Sequence, residues 1–179
     1  KSLRDNSVSI DTVNVPANGE YVLPEVEGKA LELVAVIDPM NAREVGLNVL
    51  RSPSGEEQTA ITLFMHGGRF GPNRMPESQM SELAIDVSRA SLDPVVYSRS
   101  PEIGPLVLEN GEPLRLHVFI DRSIVEVFAN GRQCLTLRVY PSRGDSRGVS
   151  VFARGSEAKL ISLTAYQMRS VWPELEGNQ

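Results

Sequence analysis

One five-residue segment of this chain has the spacing of a nucleophilic serine. Gly144-Asp145-Ser146-Arg147-Gly148 fits the pattern G-x-S-x-G, and His66-Gly67-Gly68 is similar to an esterase oxyanion loop. A nucleophile elbow needs a helix directly after the serine and a histidine later in the chain. Val149 to Phe152 instead has a strand pattern, and neither histidine lies beyond Ser146. The segment therefore predicts a polar turn, in which Asp145 and Ser146 bond to local backbone.

Metal ligands are few and far apart. His66 and His117 are about fifty residues apart, and Cys134 is the single cysteine. The sequence shows no clustered zinc ligands, no Asp-rich calcium loop and no phosphate-binding glycine loop. We expect no metal and no cofactor. His117 is expected to be a partly buried, hydrogen-bonded imidazole. Cys134 is expected to be a small apolar strand residue without a disulfide. The cysteine content therefore does not indicate the cellular compartment of the protein.

Alternating apolar and polar residues predict the elements that position these side chains. In residues 114–140, Leu114, Leu116, Val118 and Ile120 share one strand face, and two further alternating segments follow. Asp121-Arg122-Ser123 separates the first two segments. Asn130-Gly131 separates the last two and supplies the positive backbone angles of a tight hairpin. The segment therefore predicts a three-stranded meander.

Similar segments recur along the whole chain, and we find no helical period a dozen residues long. Val8–Val15 is expected to pair with Glu20–Leu23 across Ala17-Asn18-Gly19, and Gly67–Met80 is expected to be a surface loop. About a dozen strands in one domain, residues 1–179, predict an all-β fold. We expect a two-sheet antiparallel β-sandwich of the concanavalin-like jelly-roll type. The other predicted strands are Ala30–Asp38, Val45–Leu50, Thr59–Met65, Leu83–Val87, Leu106–Leu108, Gly148–Arg154 and Lys159–Met168.

Composition excludes several classes of partner. The 179 residues include 18 Lys and Arg against 23 Asp and Glu, which gives a formal charge of -5. Nucleic acid or an anionic membrane would require a basic patch, so neither is expected. The longest apolar stretches have only strand length, which argues against a membrane span. Because the chain begins at Lys1 without a secretion signal, we expect a fragment or a processed product.

The meander also carries a family resemblance. Phe119 to Gly131, followed by Arg138-Val139-Tyr140-Pro141, resembles the C-terminal β-sandwich of glycoside hydrolase family 32, which contains invertases, levanases, inulinases and related β-fructosidases. The likeness extends from about Leu3 to Trp172. It implies that a catalytic five-bladed β-propeller precedes Lys1 in a parent enzyme, which would cleave a β-fructofuranosyl bond with retention. Further matching segments, in the family's order, are Gly46–Pro53 with Gly55-Glu56-Glu57, Ile85-Asp86 with Ser88–Ser91, and Gly148–Ala153.

The resemblance assigns no catalytic residue to this chain. Glycoside hydrolysis needs a nucleophilic carboxylate and a proton-donating one, about 5 Å apart in a retaining enzyme. The family carries its catalytic acids in three propeller motifs, Trp-Met-Asn-Asp-Pro-Asn-Gly, Arg-Asp-Pro and Glu-Cys, and none occurs here. Asp121 and Glu126 are not catalytic in the family pattern. We expect Asp121 to form a turn, and Glu126 to lie on the polar side of its strand or to pair with Arg122 or Arg138.

Ligand-binding residues remain unassigned. Sugar sites commonly present exposed aromatic rings, but Phe119, Phe128 and Phe152 lie in apolar strands where core packing is expected. Trp172 is expected to anchor the C-terminal tail against the sandwich or the propeller. The other aromatic residues that could be exposed, which do not cluster in the sequence, are Tyr21, Tyr97, Tyr140 and Tyr166.

The sequence thus predicts a non-catalytic accessory domain that packs on the catalytic propeller and stabilises it. We expect an exposed apolar patch where the propeller would pack, and such a patch could also produce a dimer. The alternative is a free-standing module that binds fructan or another carbohydrate. A concanavalin-like lectin or an unrelated adhesion sandwich is a third hypothesis.

Overall fold

The computed structural model describes residues 3–65, 81–96 and 100–170, and within these ranges the chain forms strands and no helix. No helix in the described ranges is long and apolar enough to cross a membrane. The strands are β1 (Arg4–Ile10), β2 (Val13–Val15), β3 (Gly19–Glu27), β4 (Ala30–Asp38), β5 (Glu44–Arg51), β6 (Thr59–Phe64), β7 (Glu82–Asp86), β8 (Glu102–Pro105), β9 (Leu114–Asp121), β10 (Ile124–Ala129), β11 (Gln133–Arg138), β12 (Gly148–Arg154) and β13 (Ala158–Met168).

Two antiparallel sheets form a sandwich, as the sequence predicts. Sheet A has the order β1-β13-β4-β9-β10-β11, and β2 also pairs with β13. Sheet B has the order β3-β12-β5-β6-β7-β8. The last two strands of the chain, β12 and β13, therefore lie inside the two sheets, each between strands from the first third of the sequence.

The core consists of the inward faces of both sheets. Leu31, Leu33, Ala35 and Ile37 of β4 are buried together, which confirms that they share one face. Valine and leucine side chains of β5 and β12 lie opposite them in sheet B. Alternation sends the intervening residues of each strand outward, so each sheet also has an outer face.

The meander has the predicted turns. Asn130 and Gly131 have φ angles of 50° and 64°, and the Arg132 N–H donates to the Ala129 carbonyl over 3.0 Å. These are the positive angles of a tight hairpin turn. At the first turn, Arg122 has a φ of 51° and its N–H donates to the Lys29 carbonyl.

Two predictions about strands are wrong, and the prediction of one loop concerns residues outside the described ranges. A turn does follow Pro16, where the Gly19 N–H donates to the Pro16 carbonyl, but the flanking strands do not pair with each other. β2 pairs with β13 and β3 pairs with β12, so the turn carries the chain from one sheet to the other. The strand expected at Leu106–Leu108 lies earlier, at Glu102–Pro105, where the backbone pairs with β7. The loop expected at Gly67–Met80 lies outside the described residues.

Candidate functional site

The meander and its neighbours place two rows of side chains on the outer face of sheet A. Each row crosses β13, β4, β9, β10 and β11 through residues that pair directly in the ladders. The first row is Tyr166, Glu32, Phe119, Glu126 and Thr136. The second row is Thr164, Val34, His117, Phe128 and Cys134. We call these ten residues the meander face.

A nearly buried carboxylate lies within this face. Glu32 is 3% exposed, and its oxygens accept hydrogen bonds from both ends of the Arg4 guanidinium, one of them over 2.7 Å from Nε. His117 Nε2 lies 2.7 Å from Glu32 Oε1. The hydrogen bond from Arg4 lowers the pKa of Glu32 against the effect of burial. Glu32 therefore stays ionised and joins β1, β4 and β9, and the hydrogen bond predicted for the His117 ring is present.

Aromatic rings surround this carboxylate, which corrects the prediction that Phe119 and Phe128 pack in the core. Phe128 is 38% exposed and Phe119 is half-buried, because Val118 and Val127 occupy the inward positions. The rings of Phe119 and Phe128 meet edge to face with centroids 6.2 Å apart, and the His117 ring lies 4.5 Å from Phe119. Phe152 is buried as expected, but on the outer face of sheet B beside Arg154.

A second carboxylate, Glu57, is fully buried at one end of the sandwich. Its Oε1 accepts hydrogen bonds from the Leu92 N–H (3.0 Å), the Ser142 N–H (2.8 Å) and the Ser142 hydroxyl (2.6 Å). Its Oε2 accepts from the Arg143 N–H (3.1 Å) and the Ser146 hydroxyl. Burial acts to raise the pKa of Glu57, but these hydrogen bonds outweigh it and lower the pKa to about 2. Glu57 thus joins the β5–β6, β7–β8 and β11–β12 connections.

This contact explains the serine motif. A turn spans residues 144–147, and the strand β12 follows at once, which rules out the helix of a nucleophile elbow. Ser146 is fully buried and donates its hydroxyl to Glu57, so the prediction that it bonds to local backbone is wrong. Asp145 accepts two hydrogen bonds from the Arg143 guanidinium, over 2.8 and 2.7 Å. His66, the other part of the hydrolase hypothesis, lies outside the described residues.

The two prominent acids of the meander have structural positions. Asp121 is the exposed last residue of β9, directly before the turn at Arg122. Glu126 lies on the outward, polar side of β10, the first of the alternatives given above, and accepts from the Thr136 hydroxyl over 3.3 Å. Arg138, one of the expected partners of Glu126, donates to the Ser123 hydroxyl.

A further acid, Glu112, accepts hydrogen bonds from Arg132 and from Asn130 (2.9 Å) at the hairpin turn. The hydrogen bond from Arg132 is the main cause that lowers the pKa of Glu112 to about 2.

Sheet B carries a polar network on its outer face. Glu20 accepts hydrogen bonds from Arg51 Nε (3.1 Å), Asn48 (3.1 Å) and the Ser150 hydroxyl (2.7 Å). Burial acts to raise the pKa of Glu20, but the hydrogen bonds from Arg51 and the other donors lower it overall. These side chains link β3, β5 and β12 across the face.

The chemistry available to these acids is limited. A general acid for glycoside hydrolysis needs a raised pKa. Among the described residues, every carboxyl group with a displaced pKa has a lowered one. These groups are Glu20, Glu32, Glu56, Glu57, Glu112 and Asp145. The described ranges also contain no group of three or more His, Cys, Asp or Glu residues that could hold a metal ion. The roles of Glu57 and Glu32 were missed at the sequence level. A signal existed for Glu57, because Gly55-Glu56-Glu57 belongs to a segment that matches the family pattern.

Comparison with known protein families gives one match that covers most of the chain. The model of the family described as "Glycosyl hydrolases family 32 C terminal" matches residues 1–167. The levanase of Bacillus subtilis (strain 168) is 29% identical over 177 residues, which cover 96% of this chain and 24% of the levanase. The insoluble β-fructofuranosidase isoenzyme CWINV5 of Arabidopsis thaliana is 31% identical over 194 residues, which cover 95% of this chain and 32% of that enzyme.

Solved structures show the same fold. Fructan 1-exohydrolase IIa from Cichorium intybus matches 94% of this chain with a TM-score of 0.81 and 17% identity, over 36% of its own length. The β-fructofuranosidase of Aspergillus kawachii matches 99% of this chain with a TM-score of 0.73 and 22% identity, over 29% of its own length. The chain thus spans about a fifth to a third of the length of the proteins that it matches.

Proposed function

The chain belongs to the C-terminal domain family of the family 32 glycosyl hydrolases, and from this premise we propose that it is the non-catalytic accessory domain of a β-fructosidase. In this role it packs on a catalytic β-propeller of the same polypeptide and stabilises it. The propeller, and not this domain, supplies the nucleophile and the proton donor of a retaining cleavage of sucrose or a fructan.

The observation that carries this proposal is the state of Glu57, the described acid that is completely buried and lies beside a serine. Both of its oxygens are occupied by donors from its own chain, and the pKa of about 2 keeps the group ionised at any pH at which an enzyme of this kind would work. Such a carboxylate cannot donate a proton to a leaving group, and it cannot reach a sugar carbon. Its hydrogen bonds hold loops together, which is a structural role.

We expect the pure chain to release no fructose from sucrose, inulin or levan above a buffer control. The physical reason is that the family's three catalytic motifs do not occur in this sequence, and the displaced carboxyl pKa values among the described residues are lowered, whereas a proton donor needs a raised one. Reducing-sugar and chromatographic assays at micromolar protein, with an invertase as positive control, measure this directly. Fructose release that scales with protein concentration would sink the proposal.

Calorimetric titration of the same sample with levan and inulin tests the accessory role against the carbohydrate-binding alternative. Heat that does not saturate with added fructan is expected for an accessory domain. Saturable binding would favour the free-standing module instead.

A further inference from the structure

The meander face presents several partly exposed apolar side chains. Val34 and Phe128 are each 38% exposed, and Ile124, which lies beyond Glu126 on the outward side of β10, is 41% exposed. Val34 lies on β4, and Phe128 and Ile124 lie on β10, with β9 between the two strands. Phe119 and Tyr166, in the neighbouring row, are half-buried. Five strands at the usual spacing make this face roughly 20 Å across. Exposed apolar side chains that share one sheet face are a feature of surfaces that bind another protein surface.

The two carboxylates on the face have partners within the domain, since Glu126 accepts a hydrogen bond from the Thr136 hydroxyl. Glu32 is paired with Arg4 and with His117, and the Arg4 guanidinium also lies over the Tyr166 ring, 4.4 Å from its centroid. A partner that covers this face therefore does not leave the Glu32 carboxylate buried without a hydrogen bond. This matters because an unpaired charge buried in an interface is strongly unfavourable.

The outer face of sheet B has a different character. Its large apolar side chains, Phe64 and Phe152, are 7% and 4% exposed, so they are already covered. Its centre is the polar network of Glu20, Asn48 and Arg51, and Val22 is the exposed apolar residue at its edge. Sheet B therefore offers less uncovered apolar surface than sheet A.

The path of the chain favours an occupant that belongs to the same polypeptide. β1 is the edge strand of sheet A, and Arg4 at its start reaches across to Glu32 on the meander face. A segment that leads into β1 therefore arrives beside this face. The matched relatives are three to four times as long as the part that aligns with this chain, and the family is named as a C-terminal one.

We propose that the meander face, centred on Val34, His117 and Phe128, is the surface on which the catalytic propeller docks. This rests on the proposed function, since it specifies which face performs the packing. The partner surface is expected to be apolar and weakly charged at its centre, because it must complement aromatic and aliphatic side chains around an ion pair that is already satisfied.

Cys134 provides a direct probe, since it is exposed at the end of the second row and is the single cysteine of this chain. The experiment compares the rate of maleimide labelling at this position in the isolated chain and in the full-length gene product, using mass spectrometry of the peptide. A double variant, Cys134→Ser with Val22→Cys, reports on sheet B as the matched control. We expect labelling of Cys134 to be at least about tenfold slower in the full-length protein, and labelling at position 22 to be unchanged.

The other outcomes separate the two proposals. Protection at position 22 with none at Cys134 would show docking through sheet B, which overturns the choice of face and leaves the accessory role intact. Protection at neither position, or a reading frame without a propeller, would overturn the accessory role as well. If protection of Cys134 in the isolated chain grows with protein concentration, the occupant of the face is a second copy of the chain. If protection requires added levan or inulin, the occupant is a saccharide. Either result would overturn the inference.

A substitution gives a second measurement that does not depend on cysteine chemistry. Val34→Glu adds a charge to a side chain that is partly exposed in the isolated domain, so its melting temperature should change little. In the full-length protein the same charge would be buried against the propeller, and we expect a fall that is larger by about 3 °C or more. Val22→Glu should have equal effects in both proteins. Equal effects of Val34→Glu in both would contradict the inference.

Discussion

At the scale of single residues, Glu57 shows how a buried charge can organise loops that have little core of their own. Five donors from two other connections converge on its two oxygens, and the Ser52 N–H donates to its carbonyl over 2.8 Å. Hydrogen bonds to a charged acceptor are stronger than neutral ones, and here they outweigh the desolvation of the carboxylate. These hydrogen bonds require a carboxylate at position 57, because each of the five donors needs an acceptor oxygen there.

Glu57→Gln should therefore destabilise the domain by about 3 kcal/mol, although the side chain keeps its size. The new amide group would point its N–H bonds toward the N–H and O–H donors that now bond to the carboxylate. Urea unfolding followed by fluorescence measures the free energy of unfolding. Glu56→Gln, at an adjacent residue whose side chain is 51% exposed, is the matched control and should change it by less than about 0.5 kcal/mol. Equal effects at the two positions would contradict the role given to Glu57.

The lowered pKa of Glu57 also predicts a dependence of stability on pH. The ordinary value is 4.5 and the folded value is about 2, so the folded state binds the proton less tightly than the unfolded state. The stabilisation is fully present above pH 4.5 and is lost as the pH falls toward 2, and its total is about 3 kcal/mol. Urea unfolding at pH values from 6 down to 3 should show a steeper loss for the wild type than for Glu57→Gln. Parallel curves would show that the carboxylate contributes nothing to acid sensitivity.

At the scale of elements, local alternation predicts strands and turns but does not predict their partners. The bounds of β4 and β12 are those expected from the sequence, and Asn130-Gly131 forms the expected turn, since side-chain alternation and backbone angles are local properties. The pairing of β2 was missed because the turn at Asn18 could equally connect one sheet or two. Whether Glu102–Pro105 or Leu106–Leu108 forms a strand depends on β7, which is not adjacent in sequence.

The same reasoning applies to the candidate sites. Ser142 and Ser146 lie 85 and 89 residues from Glu57, and His117 lies 85 residues from Glu32. A period-two pattern shows that Glu32 points away from Leu31 and Leu33, but not that three neighbouring strands will bury it. Phe119 and Phe128 were assigned to the core because their neighbours are apolar, although strict alternation with Val118 and Val127 already placed them outward.

Gly46 illustrates how closely the strands of sheet B approach. A Cβ atom at this position would lie 1.8 Å from the Ile61 carbonyl oxygen of β6. Gly46→Ala should therefore force β5 and β6 apart and cost about 3 kcal/mol or more. Gly144→Ala is the control, since a Cβ there would meet nothing within 4 Å, and it should be nearly neutral. Thermal unfolding of both variants tests this, and a stable Gly46→Ala protein would show that the two strands can shift.

At the scale of the whole molecule, the fold is closed by its last two strands. β12 lies between β3 and β5 in sheet B, and β13 lies between β1 and β4 in sheet A. Both sheets therefore require contacts between residues that are far apart in the sequence, which is typical of β-sandwiches that fold slowly. Sheet B cannot be completed until the chain has been synthesised as far as Arg154, and sheet A cannot be completed until it has been synthesised as far as Met168.

Removal of residues 158–179 should therefore unfold the entire domain, and not only the edge of one sheet. β13 contributes the buried side chains of Leu160, Leu163 and Ala165, whose burial is worth about 5 kcal/mol, and a domain of this size is stable by only about 5–15 kcal/mol. Its loss also leaves β1 and β2 without a partner strand. Removal of residues 1–11 is the matched control, because it deletes the edge strand β1, whose side chains are mostly exposed, and should cost about 3–5 kcal/mol, mainly through the loss of Arg4 as a partner of Glu32. Circular dichroism and urea unfolding should thus show a cooperative transition for the N-terminal truncation and no such transition for the C-terminal truncation. A cooperative transition in the C-terminal truncation would show that sheet B and the meander form a stable unit without β13.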